Sequence, residues 1–257
     1  MSIPNLSGKH GFDSVYGADD FVAHLREGGW EPGTLPEAVI FTYAGFDLLC
    51  AALPDVYTMN PMLGPGPGRF FTVNSTDERV GVCCMGIGAP AVCAQLEVFI
   101  ALGVRRFLSL GTAGGLDVGH TPGDVVVLTG AVRDEGTSYH YLAAGIDVAP
   151  DAGLTDALTG ALTRSGVALQ SGSTWTTDAP YRQSKEEISE LRGRGVLTVE
   201  MEAAALFAVA RIRSVELASA VVVDSVFGEP IGQPTMDAAA AVGKLYEVFQ
   251  VGIDLLS

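Results

Sequence analysis

The sequence predicts an α/β fold, a single domain over residues 1–257 with a mixed central β-sheet flanked by helices. Short apolar runs rich in β-branched residues alternate with longer segments of helical period. The runs are apolar throughout, not alternately polar, which suits strands covered on both faces. The chain has 257 residues, 48% of them hydrophobic, enough for one substantial core, and no break in composition marks a second domain.

The strands are expected at "AVIFTY" (38–43), "RVGVCCMG" (79–86), "RFLSLG" (106–111), "DVVVLTG" (124–130) and "ASAVVVD" (218–224). Between them "APAVCAQLEVFIALG" (89–103) reads as a helix, with Pro90 near its start and Gly103 just past its end. Further helices are expected at about 151–164, 201–212 and 236–256, and the charged stretch 176–195 reads as a loop followed by a solvated helix. "NPMLGPGPGRF" (60–70) is too rich in proline and glycine for regular structure and reads as a hairpin-like connection or a loop over a site. A ligand site is expected where strands end and glycine loops begin.

Charge and targeting signals narrow the classes. Thirty acidic against fifteen basic residues give a formal net charge of -15, which repels nucleic acid and anionic membranes. No apolar run reaches the roughly 18 residues that span a bilayer, and the polar start lacks a signal-peptide layout, so a cytoplasmic location is expected. Cys50, Cys83, Cys84 and Cys93 lack metal or CxxC spacing and read as buried thiols; His10, His24, His120 and His140 show no paired ligand spacing. No metal or cofactor is expected.

Three constellations can carry chemistry. In "SLGTAGGLD" the strand is expected to stop at Gly111, leaving amides around Thr112 to Gly115 and the Thr112 hydroxyl to bind a phosphate or hold a water. A tight strand-to-loop turn and a nucleotide-cofactor loop remain alternatives, although the G-x-G-x-x-G order is incomplete and no Walker lysine follows. In "VLTVEMEAAALFAVA" (196–210), Glu200 and Glu202 flank Met201 between apolar segments. Carboxylates so placed need donors, which a sugar diol or a helix N-terminus supplies. In "SAVVVDSVFGEP" (219–230), Asp224 ends an apolar strand, placed either as a general acid or as a turn cap. Asp178, Tyr181 and His140 are polar or aromatic residues near other loops.

In this order, "MGIGAPAVCAQLEVFIALGVRRF", "LGTAGGL", "GDVVVLTGAVRDEGTSYHY" and "VEMEAAALFAVA" resemble the superfamily of purine nucleoside phosphorylases, uridine phosphorylases and methylthioadenosine nucleosidases. "VRDEGTSYHY" leans toward the uridine phosphorylase branch. The resemblance implies cleavage of a nucleoside N-glycosidic bond, by phosphate in phosphorylases and by water in nucleosidases, with phosphorolysis the family default and inorganic phosphate as co-substrate. It implies that Glu202, with Met201 and Glu200, binds the ribose, and that Thr112, Gly111, Gly45 and Ser109 surround the nucleophile. Tyr181, Asp178 and Gly114 would face the base, Asp224 would protonate it, and His10 would reach a neighbouring subunit's sugar. A homo-oligomer, dimer or hexamer, is implied.

The sequence departs from that pattern where phosphate is held. The family arginine two residues before the loop glycine is here Ser109. The early "GDPxR" motif has Gly45 in "TYAGFD" but no arginine, and Asn60 stands for a third, donated across the dimer. Arg105 and Arg106 lie too far from the loop; Arg69, Arg133 or Arg182 could rebuild the site. Water is therefore a competing nucleophile, with Asp47 as a candidate to activate it. Ser184 and Glu186 replace the uracil clamp, which favours a purine or modified base. A non-catalytic nucleoside-binding protein and a cofactor-binding transferase are the other classes to test.

Overall fold

In the computed structural model the described residues are 3–43, 57–59 and 69–257. Gly45, Asp47, Cys50 and Asn60 lie outside them. The strands in chain order are β1 (Ala38–Thr42), β2 (Tyr57–Met59), β3 (Arg69–Val73), β4 (Val80–Cys84), β5 (Arg106–Gly115), β6 (Val125–Asp134), β7 (Leu169–Thr177), β8 (Thr198–Glu200), β9 (Glu216–Val226) and β10 (Thr235–Met236). The helices are α1 (Ala18–Glu27), α2 (Ala89–Ala101), α3 (Ala152–Arg164), α4 (Lys185–Gly193), α5 (Ala203–Arg213) and α6 (Ala238–Leu256).

The sheet is mixed, in the order β10-β9-β6-β7-β8-β5-β1-β4-β3-β2, and β9 also pairs with β5. That extra pairing closes β5, β9, β6, β7 and β8 into a ring, from which β1, β4, β3 and β2 extend as a wing. β5 pairs with β9 along one edge from Arg106 to Gly115. On its other edge Arg106 to Ser109 pair with β1, whereas Gly114 and Gly115 pair with β8. Between Leu110 and Ala113 that edge has no strand partner among the described residues, so β1 and β8 diverge there as the arms of a fork. The chain segments leaving those two arms define the site.

Two apolar layers hold the sheet. On one side α2 and α5 pack together, with Val92, Leu96, Phe99 and the whole run Ala203 to Ala210 buried against Phe41 and Phe107. Alanine lets α5 approach closely enough to be covered along its length. On the other side α3 and α6 cover Ile40, Leu108, Leu110 and Val222. Local signals set the helix ends. Pro90 sits in the first turn of α2, Asp151 caps α3 by accepting from the Leu154 amide at 2.8 Å, and Ser184 and Glu187 form a capping box on α4. No helix among the described residues is long and apolar enough to cross a membrane.

Three expectations are corrected. β5 does not stop at Gly111 but runs to Gly115, because small residues let neighbours close in on both edges: a Cβ at Gly114 would come 3.0 Å from Val199, and one at Gly115 3.1 Å from His120. The backbone expected as an open anion cradle is thus largely strand, and only the edge facing the fork lacks a strand partner. Secondly, Arg69 and Phe70, expected inside the connection, open β3, which pairs antiparallel with β2; the rest of that stretch, 60–68, lies outside the described residues. The helix expected from residue 201 starts at Ala203, since Glu202 keeps a non-helical backbone.

Candidate active site

A cavity of about 500 Å³ opens at the fork, lined by Tyr43 after β1, Thr112 to Gly114 of β5, Val199 to Glu202, and Asp224 to Ser225 of β9. Tyr181 and Gln183 of the β7–α4 loop, with Phe227, Pro234 and Met236, form its outer wall. The volume suits a nucleoside-sized ligand.

Glu200 and Glu202 are buried, at 8% and 6% exposure. Glu200 organises the floor: its Oε1 accepts from the Thr176 hydroxyl at 2.5 Å, and its Oε2 accepts from the Glu202 and Ala203 amides at 2.8 and 2.7 Å. It thereby caps α5 with a negative charge at the positive end of the helix, and Thr176 adds a bond from the Ala204 amide at 3.0 Å. The helix-terminus alternative weighed for these acids is therefore realised in Glu200. Burial raises its carboxyl above the ordinary range, against the pull of those donors.

Glu202 accepts from the Gly88 amide at 2.5 Å. Gly88 has φ of 109°, a conformation L side chains rarely adopt, and this presents its amide to the carboxylate. Burial first, and the charge of Glu200 second, push the Glu202 carboxyl up to about 8, while the Gly88 and Met201 amides pull the other way.

Tyr43 borders the cavity. Its hydroxyl and the Ser109 hydroxyl share a hydrogen bond of 2.7 Å, and the Ser109 carbonyl accepts from Ser219 at 3.0 Å. The ring lies on the face of Gly111, where an added Cβ would come within 2.8 Å of Cδ2. Burial, then the charge of Glu202, raises the phenol well above its usual range, so it remains protonated. Gly111→Ala is expected to destabilise the protein by roughly 1–3 kcal/mol by displacing this ring, measurable as a lowered midpoint in urea unfolding.

Asp224 ends the apolar run of β9 at the cavity wall and accepts from the Ser225 hydroxyl at 2.8 Å. Arg192 of α4 donates to the Leu116 and Phe227 carbonyls, each at 2.7 Å, and pairs with Glu229 at 2.9 Å. It ties the end of β5 to the loop after β9.

Thr112, Gly114, Tyr181, Glu200, Met201, Glu202 and Asp224 thus come together around one cavity, and Ser109 and Gly111 lie behind Tyr43. Asp178 and His10 lie elsewhere in this chain: Asp178 accepts from the Gly136 amide, and His10 bonds the Tyr139 carbonyl. Arg133 is spent on the Ser138 hydroxyl and the carbonyls of Leu142, Ala143 and Ile146; Arg106 pairs with Glu216. Among the described residues lining the cavity there is no lysine or arginine, against three carboxylates. Tyr43, Thr176 and Gly88 escape sequence reasoning.

Over residues 44–247 the chain matches the sequence profile of the phosphorylase superfamily, and it belongs to that family. A guanosine phosphorylase of Halorubrum lacusprofundi is 34% identical over 143 residues, which cover 56% of this chain and 59% of that protein. A uridine phosphorylase of Escherichia coli is 32% identical over 143 residues, covering 50% and 56%. The match thus spans less than two thirds of these relatives. The crystal structure of uridine phosphorylase from Vibrio fischeri ES114, 21% identical, has the same fold, with a TM-score of 0.73 over 88% of this chain and 94% of that one.

Proposed function

We propose that the chain cleaves the N-glycosidic bond of a nucleoside, with a purine or modified base favoured. The observation that carries this is the buried Glu202 carboxylate at the cavity floor, with Thr112 and Asp224 lining the same space. An ionised carboxylate accepts from both hydroxyls of a ribose 2′,3′-diol and fixes the sugar. Met201 packs beside it. Asp224 gives a proton to the leaving base, a role that contributes typically 10²–10⁴-fold. Tyr181, 99% exposed at the mouth, closes over the base. Ser184 and Glu186 stand at the positions of the uracil clamp, and Ser184 serves as the cap of α4, accepting from the Glu187 amide at 3.2 Å. His10 would reach a sugar only in a neighbouring copy of a homo-oligomer.

Phosphorolysis is the family default. The carboxylate-rich lining, without a described cation, favours water as the second reading, because a dianion needs charged donors in such a site. The test is base release from a panel of purine and pyrimidine nucleosides, with and without phosphate. Release from at least one nucleoside is expected; silence across the panel would replace the enzyme by a nucleoside-binding protein.

A further inference from the structure

We propose that the ring of Tyr43 fills the end of the cavity where the nucleophile enters and so selects water over phosphate. The proposal rests on glycosidic cleavage as proposed above. Three observations converge on it. The Tyr43 ring lies against Gly111, on the strand edge left open by the fork and one residue before Thr112. Its hydroxyl is tied to Ser109, which is 4% exposed and held in turn by Ser219, so the ring has a fixed seat. The same ring borders the cavity shared with Glu202 and Asp224.

Size and charge then act together. A water takes about 30 Å³ and needs only neutral donors and acceptors. The Thr112 hydroxyl, which lines the cavity, is such a neutral group and can both donate and accept. A phosphate dianion would have to displace an aromatic ring and then share a cavity with Glu200 and Glu202, with no cation among the described lining residues. In the reaction selected, the water oxygen bonds C1′ while the C1′–N bond breaks and its electron pair passes to the base. The base takes a proton from Asp224, water releases one to solvent, and Asp224 is reprotonated from solvent. The sum is nucleoside plus water giving ribose and free base.

A tyrosine that merely packs against the sheet would not alter which nucleophile is used, so product identity is the deciding readout. The best nucleoside of the panel is incubated with excess inorganic phosphate, and ribose is separated from ribose 1-phosphate for the wild type, Tyr43→Phe and Tyr43→Ala. The wild type and Tyr43→Phe, which keeps the ring, are expected to give ribose at rates independent of phosphate. Tyr43→Ala is expected to raise the ribose 1-phosphate fraction by about tenfold or more. Tyr43→Leu, which withdraws the outer edge of the ring, takes its place if the alanine protein does not fold. Ribose 1-phosphate as the main wild-type product overturns the proposal and leaves glycosidic cleavage intact, as does an unchanged product ratio in the folded small-residue variant. Absence of free base under every condition overturns both.

Discussion

Glu202→Ala is expected to lower kcat/KM for base release by about a hundredfold or more, since hydrogen bonds to a charged group contribute about 1.5–3 kcal/mol each and a diol makes two. Initial rates on the best nucleoside check it, and a loss below about tenfold would remove the ribose-binding role. Glu202→Gln keeps the shape and removes the titration. Because the Glu202 carboxyl stands at about 8 and ionised carboxylate is the better diol acceptor, kcat/KM is expected to rise with pH through that value in the wild type and not in Glu202→Gln. Stability runs the other way. The fold holds this proton more tightly than the unfolded chain, whose ordinary value is 4.5. The contribution is fully present below 4.5 and is lost as pH rises through about 8. The difference in Tm between Glu202→Gln and the wild type should therefore grow across that window.

Asp224→Asn is expected to lower kcat on a purine nucleoside by about 10²- to 10⁴-fold while leaving KM nearly unchanged, because the proton is needed in the transition state and not for binding. A nucleoside whose base leaves readily without protonation should be affected far less, which separates acid catalysis from damage to the cavity wall. Loss of equal size on both substrates would assign Asp224 to structure. The Ser225 hydroxyl, donating to Asp224 at 2.8 Å, keeps its geometry with asparagine by turning to the amide oxygen.

How much of this was legible depended on whether each signal was local. β1, β4, β5, β6 and β9 are continuous apolar runs and read directly, as do the helices begun by Pro90 and Asp151. β7, "LQSGSTWTT", hides because its first half is polar and partly exposed, and β8 is only three residues long. Ring closure depends on β5 pairing with β9 some 110 positions away, as in Ser109 with Ser219, a relation that no local pattern encodes. Glu202 and Asp224 stood out as acids among apolar neighbours. Tyr43 did not, because an aromatic residue at a strand end reads as core until the glycine beneath it is known. The roles given to Asp178 and His10 came from the resemblance; within this chain their side chains bond the Gly136 amide and the Tyr139 carbonyl, 42 and 129 positions away.

The closed ring of strands also divides the cavity between two mechanical regimes. Glu202 and Thr112 belong to or directly follow strands of that ring, whose hydrogen bonds must break together before either can move. The outer end is bounded instead by Pro180, Tyr181 and Gln183, a connecting loop whose tyrosine stands in solvent. The carboxylate end of the cavity is thereby insulated from changes at the outer end. Substitutions in that loop can reshape the outer wall without disturbing Glu202 and Thr112, so such a scaffold can change what it admits at small cost to its stability.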